Sequence, residues 1–212
     1  MSQKGSIVSD TPSVLVVHSA AGHSGKTTIC RALVRDLPFD VYIKLSRHSP
    51  HLVQRSASDG TLPPDAGDSG LLHRLPRSPW LPPLADVLFL DGPRQETDGA
   101  VLTVIHTHPA GMRFLVEGSC SPADGLMRTM YVLPCPLPAT AKPDTAAAVQ
   151  RAHLLIVNRF PGCSAAAEHA MAALLHDANP RATVLSGSTE NALFIETIEA
   201  AVLELMPALG HA

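Results

Sequence analysis

The hydrophobic pattern alternates between short apolar runs and amphipathic stretches. SVLVVH at 13–18 is a β-branched run of the kind a strand buried on both faces requires. After a small-residue turn, Ile29, Ala32, Leu33 and Leu37 recur at helical spacing until Pro38, and VYIKL at 41–45 reads as a second strand, so a parallel β-α-β crossover is expected. ADVLFLDG at 85–92 repeats the strand pattern. Residues 100–118, AVLTVIHTHPAGMRFLVEG, hold two β-rich runs around His-Pro-Ala-Gly and read as a β-hairpin or two consecutive strands. Further strands are expected at 128–135, 152–160 and 182–186. Helices are expected at about 143–151, from Ser164 through His176, and from about Thr189 to Met206. The fold class is α/β: a mostly parallel central sheet flanked by helices on both faces.

Between Ser46 and Pro83 the periodicity fails, and 59–83 carries six prolines, so a regular element is not expected there. Structureless segments of this length are usually functional or disordered. The segment reads as a Pro-rich insert or lid within a single domain spanning 1–212, with Trp80, the only tryptophan, expected to pack part of it down.

The turn after the first strand carries the clearest chemistry. Ala20-Ala21-Gly22-His23-Ser24-Gly25-Lys26-Thr27 fits G-x-x-x-x-G-K-[ST], with alanine for the first glycine, and it follows a strand and opens a helix. Such a loop aims backbone N–H groups at phosphates and adds the positive end of a helix dipole. Lys26 would meet the β/γ-phosphates and Thr27 would bind Mg²⁺, with Gly22, His23, Ser24, Gly25 and Thr28 supplying backbone or hydroxyl contacts. A carboxylate at a neighbouring strand end is also needed, to hold the metal's water shell or orient the attacking water. Asp91 in VLFLDG is the first choice for metal and catalysis, and Glu117 in FLVEG, with the same local form, is its competitor. For the base, Asn158 ends the run LLIVN, but the Asp of an NKxD motif is missing, so ATP and GTP both stay open. Ser186 and Gly187 would touch the base, unless SGSTENA is only a helix cap formed by Ser188 or Thr189.

These residues resemble the P-loop NTPases that include molybdopterin-guanine dinucleotide biosynthesis protein B, the nickel-insertion GTPases and dethiobiotin synthetase. The likeness rests on AAGHSGKTT, VYIKLSRH, FLDGPRQE, and LLIVNRF followed by VLSGSTENA. It implies nucleotide hydrolysis coupled to cofactor or metal-centre maturation, a client enzyme or cofactor precursor, and a homodimer. It also implies that Lys44 and His48 stand near the phosphates.

Composition narrows the partners. Net charge is −3 with no Lys/Arg cluster, so neither nucleic acid nor an anionic membrane surface is expected. No apolar run approaches the roughly 18 residues of a membrane span, and a cytoplasmic protein is expected. Cys30, Cys120, Cys135 and Cys163 form no CxxC pair, which fits reduced thiols better than a disulfide framework. His106 and His108 would share one face of a strand and could ligate a metal with Cys120 or Cys135, or be polar residues at a hairpin tip. Arg94 would contact phosphate or solvent. Three functions stay open: a Mg²⁺-dependent NTPase in cofactor maturation, a small-molecule kinase or ATP-dependent ligase with 46–83 as its lid, and a nucleotide-binding interaction module.

Overall fold

A computed structural model describes residues 12–63, 72, 74–120 and 127–207. The described elements, in chain order, are β1 (Ser13–Ser19), α1 (Lys26–Asp36), β2 (Val41–Ser46), β3 (Val53–Ser56), β4 (Asp86–Asp91), α2 (Arg94–Thr107), β5 (Arg113–Glu117), β6 (Met127–Cys135), α3 (Thr145–Arg151), β7 (Leu154–Arg159), α4 (Ala165–Ala178), β8 (Thr183–Gly187) and α5 (Ala192–Leu205). They build one eight-stranded sheet in the order β3-β4-β2-β5-β1-β6-β7-β8. Every pairing is parallel except β3 with β4. The first crossover is parallel as expected, but β5 is inserted between β1 and β2, in register with both.

The two-residue strand period divides the core. Leu15, Val17, Tyr42, Leu115 and Ile156 face α1 and α5, whose Ile29, Leu33, Ile198 and Val202 complete that layer. Val14, Val16, Ile43, Phe114 and Val116 face α2. Tyr131, Leu133, Leu155 and Val157 face the side of α3 and α4. Helices therefore cover both faces, and all the parallel strands end at one edge, where α/β proteins bind ligands.

Three expectations change. The hairpin is absent, because residues 94–107 are helical. Val101, Thr103, Val104 and Ile105 have strand propensity, yet Thr97, Val101, Val104 and Ile105 recur at helical spacing and are the buried residues, so burial of one face overrides propensity. The Pro-rich segment does contain a regular element: β3 pairs antiparallel along the edge of β4. Trp80 does not pack the segment down, being 76% exposed. Leu62 and Leu72 enter the α1 core instead, and the Arg77 guanidinium donates to the carbonyls of Val34, Leu37 and Phe39 at 2.7–3.0 Å. Residues 64–71 and 73 of the expected insert lie outside the described residues, as does most of the polar N-terminus.

Helix ends follow local chemistry. Ser164 caps α4 by accepting from Ala167 N at 3.1 Å. Asn191, rather than Ser188 or Thr189, caps α5 through Leu193 N at 3.0 Å.

Ile198 has no exposure and joins α5 to α1, whereas Leu174 on α4 is 69% exposed. Ile198→Ala is expected to cost about 2–4 kcal/mol and Leu174→Ala less than about 0.5 kcal/mol. Urea midpoints measured at an unchanged slope check both values.

Candidate functional site

The loop between β1 and α1 is held in an unusual backbone conformation. His23 and Gly25 both have positive φ, 52° and 87°. A Cβ at Gly25 would strike the Asn158 amide nitrogen, so the glycine is required by close approach as well as by backbone angle. The Asn158 side chain, almost fully buried, donates to Ser24 O at 3.0 Å and accepts from Thr189 N at 2.9 Å. Its amide thus ties the phosphate-type loop to the loop after β8. Both ends of the group are engaged within the protein, which is a structural use that the expectation of base pairing had not included.

Lys26 and Thr27 open α1 and meet a carboxylate, and that carboxylate is Glu117. Thr27 Oγ1 donates to Glu117 Oε1 at 2.7 Å, Lys26 Nζ forms an ion pair with the same oxygen, and Tyr42 OH donates to Oε2. Lys44 Nζ lies 3.6 Å from Oε1. The strand period explains the gathering: Tyr42 and Lys44 share one face of β2, and Glu117 pairs in register with Val17 and Lys44. Gly118 follows with φ 133°, and a Cβ there would lie 2.7 Å from Leu45 Cβ, so only glycine lets β5 turn this close to β2. Burial alone would push the Glu117 carboxyl upward. Lys26 and Lys44, with the hydrogen bonds from Lys26 and Tyr42, outweigh it and hold the pKa at about 2.

Asp91 is not part of this group. It ends β4, which β2 and β5 separate from β1. Its carboxylate accepts from His48 N and Ser49 Oγ, each at 2.7 Å. These bonds outweigh its burial and set its pKa at about 2 while fixing the turn after β2. Of the two carboxylates of the same local form, the sheet order brings Glu117 to the lysine and leaves Asp91 as the anchor of the 46–49 turn.

A cleft of about 1040 Å³ runs along the loop. Gly22, His23, Ser24, Gly25, Lys26, Thr27 and Thr28 line it, together with Lys44 and His48. Phe160, Thr189, Glu190 and Lys142 are among the other residues that line it. Ser186, Gly187 and Asn158 do not line it; Gly187 instead lies under Phe194, whose ring a Cβ would meet at 2.6 Å. Lys142 and Glu190 gave no sequence signal, each being one charged residue in a loop. Tyr42 was legible in principle, as a polar-tipped residue two positions from Lys44 in an apolar strand.

Thr27 and Glu117 present hard oxygen donors side by side, the donor chemistry Mg²⁺ takes, so the residues fit that ion. The second metal idea is not supported. Among the described residues no group of three or more His, Cys, Asp or Glu side chains could hold a metal ion. His106 and His108 end a helix and not a strand, and residues two apart on a helix diverge. His108 bonds Val104 O at 2.7 Å and stands edge-on to Phe114. Cys120 and Cys30 are buried and outside any disulfide, while Cys135 and Cys163 are joined by one with Cα atoms 5.8 Å apart. The reduced-thiol reading therefore fails for this pair, which β6–β7 pairing brings together across 28 residues of sequence. Among the described residues no helix is long and apolar enough to cross a membrane.

A depressed carboxyl pKa stabilises the fold above the unfolded value near 4.5, and that contribution is lost as pH falls toward 2. Glu117→Gln is expected to lower stability at pH 7 by about 2–3 kcal/mol and to flatten the profile between pH 4.5 and 2. Chemical denaturation across that range, against wild type, checks the sign and the window.

No family model matches the sequence, and no curated protein matches it. Two solved structures are similar in fold. HypB from Helicobacter pylori, solved in complex with nickel, superposes with a TM-score of 0.50 at 14% identity, over 92% of this chain and 87% of that one. The hydrogenase maturation factor HypB from Archaeoglobus fulgidus gives 0.55 at 13% identity, over 91% of this chain and 90% of that one. The eight-stranded, mostly parallel sheet with its helices is thus the fold of these HypB proteins.

Proposed function

We propose that the chain binds a purine nucleoside triphosphate with Mg²⁺ and hydrolyses it in the service of metal-centre or cofactor maturation. The observation that carries this is the convergence of Lys26, Thr27 and Glu117 at the mouth of a glycine-bearing loop that opens a helix. The maturation role rests on the likeness to the two HypB structures, one of them a hydrogenase maturation factor and the other solved with nickel. A client enzyme and a homodimer belong to the same reading.

In this reading Lys26 leaves its ion pair with Glu117 to meet the β/γ-phosphates, while the amides of residues 22–27 cradle them. Thr27 and Glu117 would hold Mg²⁺, which would supply charge neutralisation at the transferring phosphate. Lys44 takes over the neutralisation of Glu117 that Lys26 gives up. Catalysis of this kind is mostly placement and electrostatics. Phe160, Thr189 and Glu190 flank the base, and Asn158 reports the state of that flank to the phosphate loop through Ser24. A kinase or ligase reading needs an acceptor beside the terminal phosphate, and a cavity next to Ser119 and Lys142 is the feature that favours it.

Calorimetric titration with ATP and GTP analogues in Mg²⁺ tests the assignment. One analogue is expected to bind, with Lys26→Ala weakening it at least about tenfold. Glu117→Gln is expected to retain binding and to lower phosphate release about 10²-fold or more. A Lys26→Ala protein that binds and turns over like wild type would sink the assignment.

A further inference from the structure

A second cavity, of about 290 Å³, lies beside the nucleotide-type cleft. Small-molecule sites start at about this size. Its floor is His18 and Tyr131, with Thr129, and its walls include Lys142, Arg94 and Arg151. The two spaces are on opposite faces of the sheet. His18 continues the face of Val14 and Val16, and Tyr131 belongs to the α3–α4 layer, whereas Lys26 and Glu117 lie on the α1 face with Tyr42. They meet over the strand ends, where Ser19, Ser119 and Lys142 line both.

The charge in this cavity is one-sided. Arg94, Lys142 and Arg151 face one carboxylate, Asp144. Arg94 also pairs at 3.8 Å with Asp98, a carboxylate that bonds the lining residue Cys120. Lys142 is fixed in place from its backbone: its N–H donates to Ala20 O at 2.8 Å, and its carbonyl accepts from Thr145 Oγ1 at 2.6 Å. The field reaches the floor. Burial first, then Lys142 and Arg94, push the His18 imidazole down to about 4, so it is neutral at physiological pH and offers one donor and one acceptor. Burial and then Lys26 also lower Lys142 itself. Lys142 is half-buried and Arg94 and Arg151 are exposed, and cations gathered around one cavity favour uptake of the opposite charge.

We infer that this cavity is a second ligand site, for a small organic or inorganic anion carrying a carboxylate or phosphate group. Lys142 and Arg94 neutralise the anion, Arg151 guards the mouth, and His18 and Tyr131 supply uncharged hydrogen-bonding and ring contacts to the rest of the ligand. A divalent cation is repelled by the same groups. An occupant would touch Ser119 and Lys142, and so stand at the shared wall beside the phosphate loop. The inference does not depend on whether nucleotide is hydrolysed.

The test follows the His18 ring by ¹H–¹³C correlation spectroscopy of the full chain, with His18→Gln to assign it. Inorganic phosphate, succinate and citrate are titrated to about 10 mM, a range that detects even millimolar binding. At least one anion is expected to move the His18 resonances saturably, equally in wild type and in Lys26→Ala, with affinity falling at least about fivefold in Lys142→Ala and in Arg94→Ala. A carboxylate source is indicated by a response to succinate or citrate, a phosphate source by a response to phosphate alone. Shifts that disappear in Lys26→Ala would place the anion in the phosphate loop and overturn the inference, as would no His18 response to any of the three. Failure of nucleotide binding in calorimetry alongside an intact His18 response would separate the two sites.

Discussion

A carboxylate with no exposure governs this end of the molecule. Glu117 is buried at the end of a strand, and an ionised group there is tolerated only if its charge and lone pairs are met inside the protein. Four side chains from two directions meet them: Lys26 and Thr27 from the helix start, Tyr42 and Lys44 from the neighbouring strand. The requirement fixes the distance between α1 and β2 across β5. It also sets the height of the phosphate-type loop above the sheet.

Much of this was legible in the sequence, for identifiable reasons. The loop announces itself because its backbone angles, its lysine and its hydroxyl are all demanded by residue type within eight positions. The buried strands announce themselves by continuous β-branched runs. Strand order is a different matter. VLFLDG and FLVEG are equivalent locally, and Glu117 rather than Asp91 meets Lys26 and Thr27 only because β5, not β4, lies beside β1. No local pattern encodes that. The stretch 100–107 misled for a related reason: its residues favour strands singly, while its spacing of buried positions is helical and wins because the helix face is what packs. The disulfide between Cys135 and Cys163 likewise depends on a pairing of β6 with β7 that cysteine spacing does not show.

The edge strand β3 shows how an irregular segment becomes part of a rigid sheet. Leaving β2, the chain turns at Ser49, whose hydroxyl binds Asp91, and then runs back along β4. The carboxylate expected to serve chemistry serves this reversal, and the reversal covers the β4 edge that would otherwise present unpaired backbone groups. Beyond it, Arg77 acts through hydrogen bonds to carbonyls around the end of α1, among them one of the helix's last residues, Val34.

Asn158 gives one side chain two correspondents. Because it holds Ser24 with its nitrogen and Thr189 with its oxygen, the loop after β8 and the loop after β1 form one mechanical part, hinged at a residue that itself cannot move far in a packed strand. A free energy linking two loops has no preferred direction. Any free energy by which order in the far loop favours order in the near one is returned equally in the other direction, with no moving domain needed.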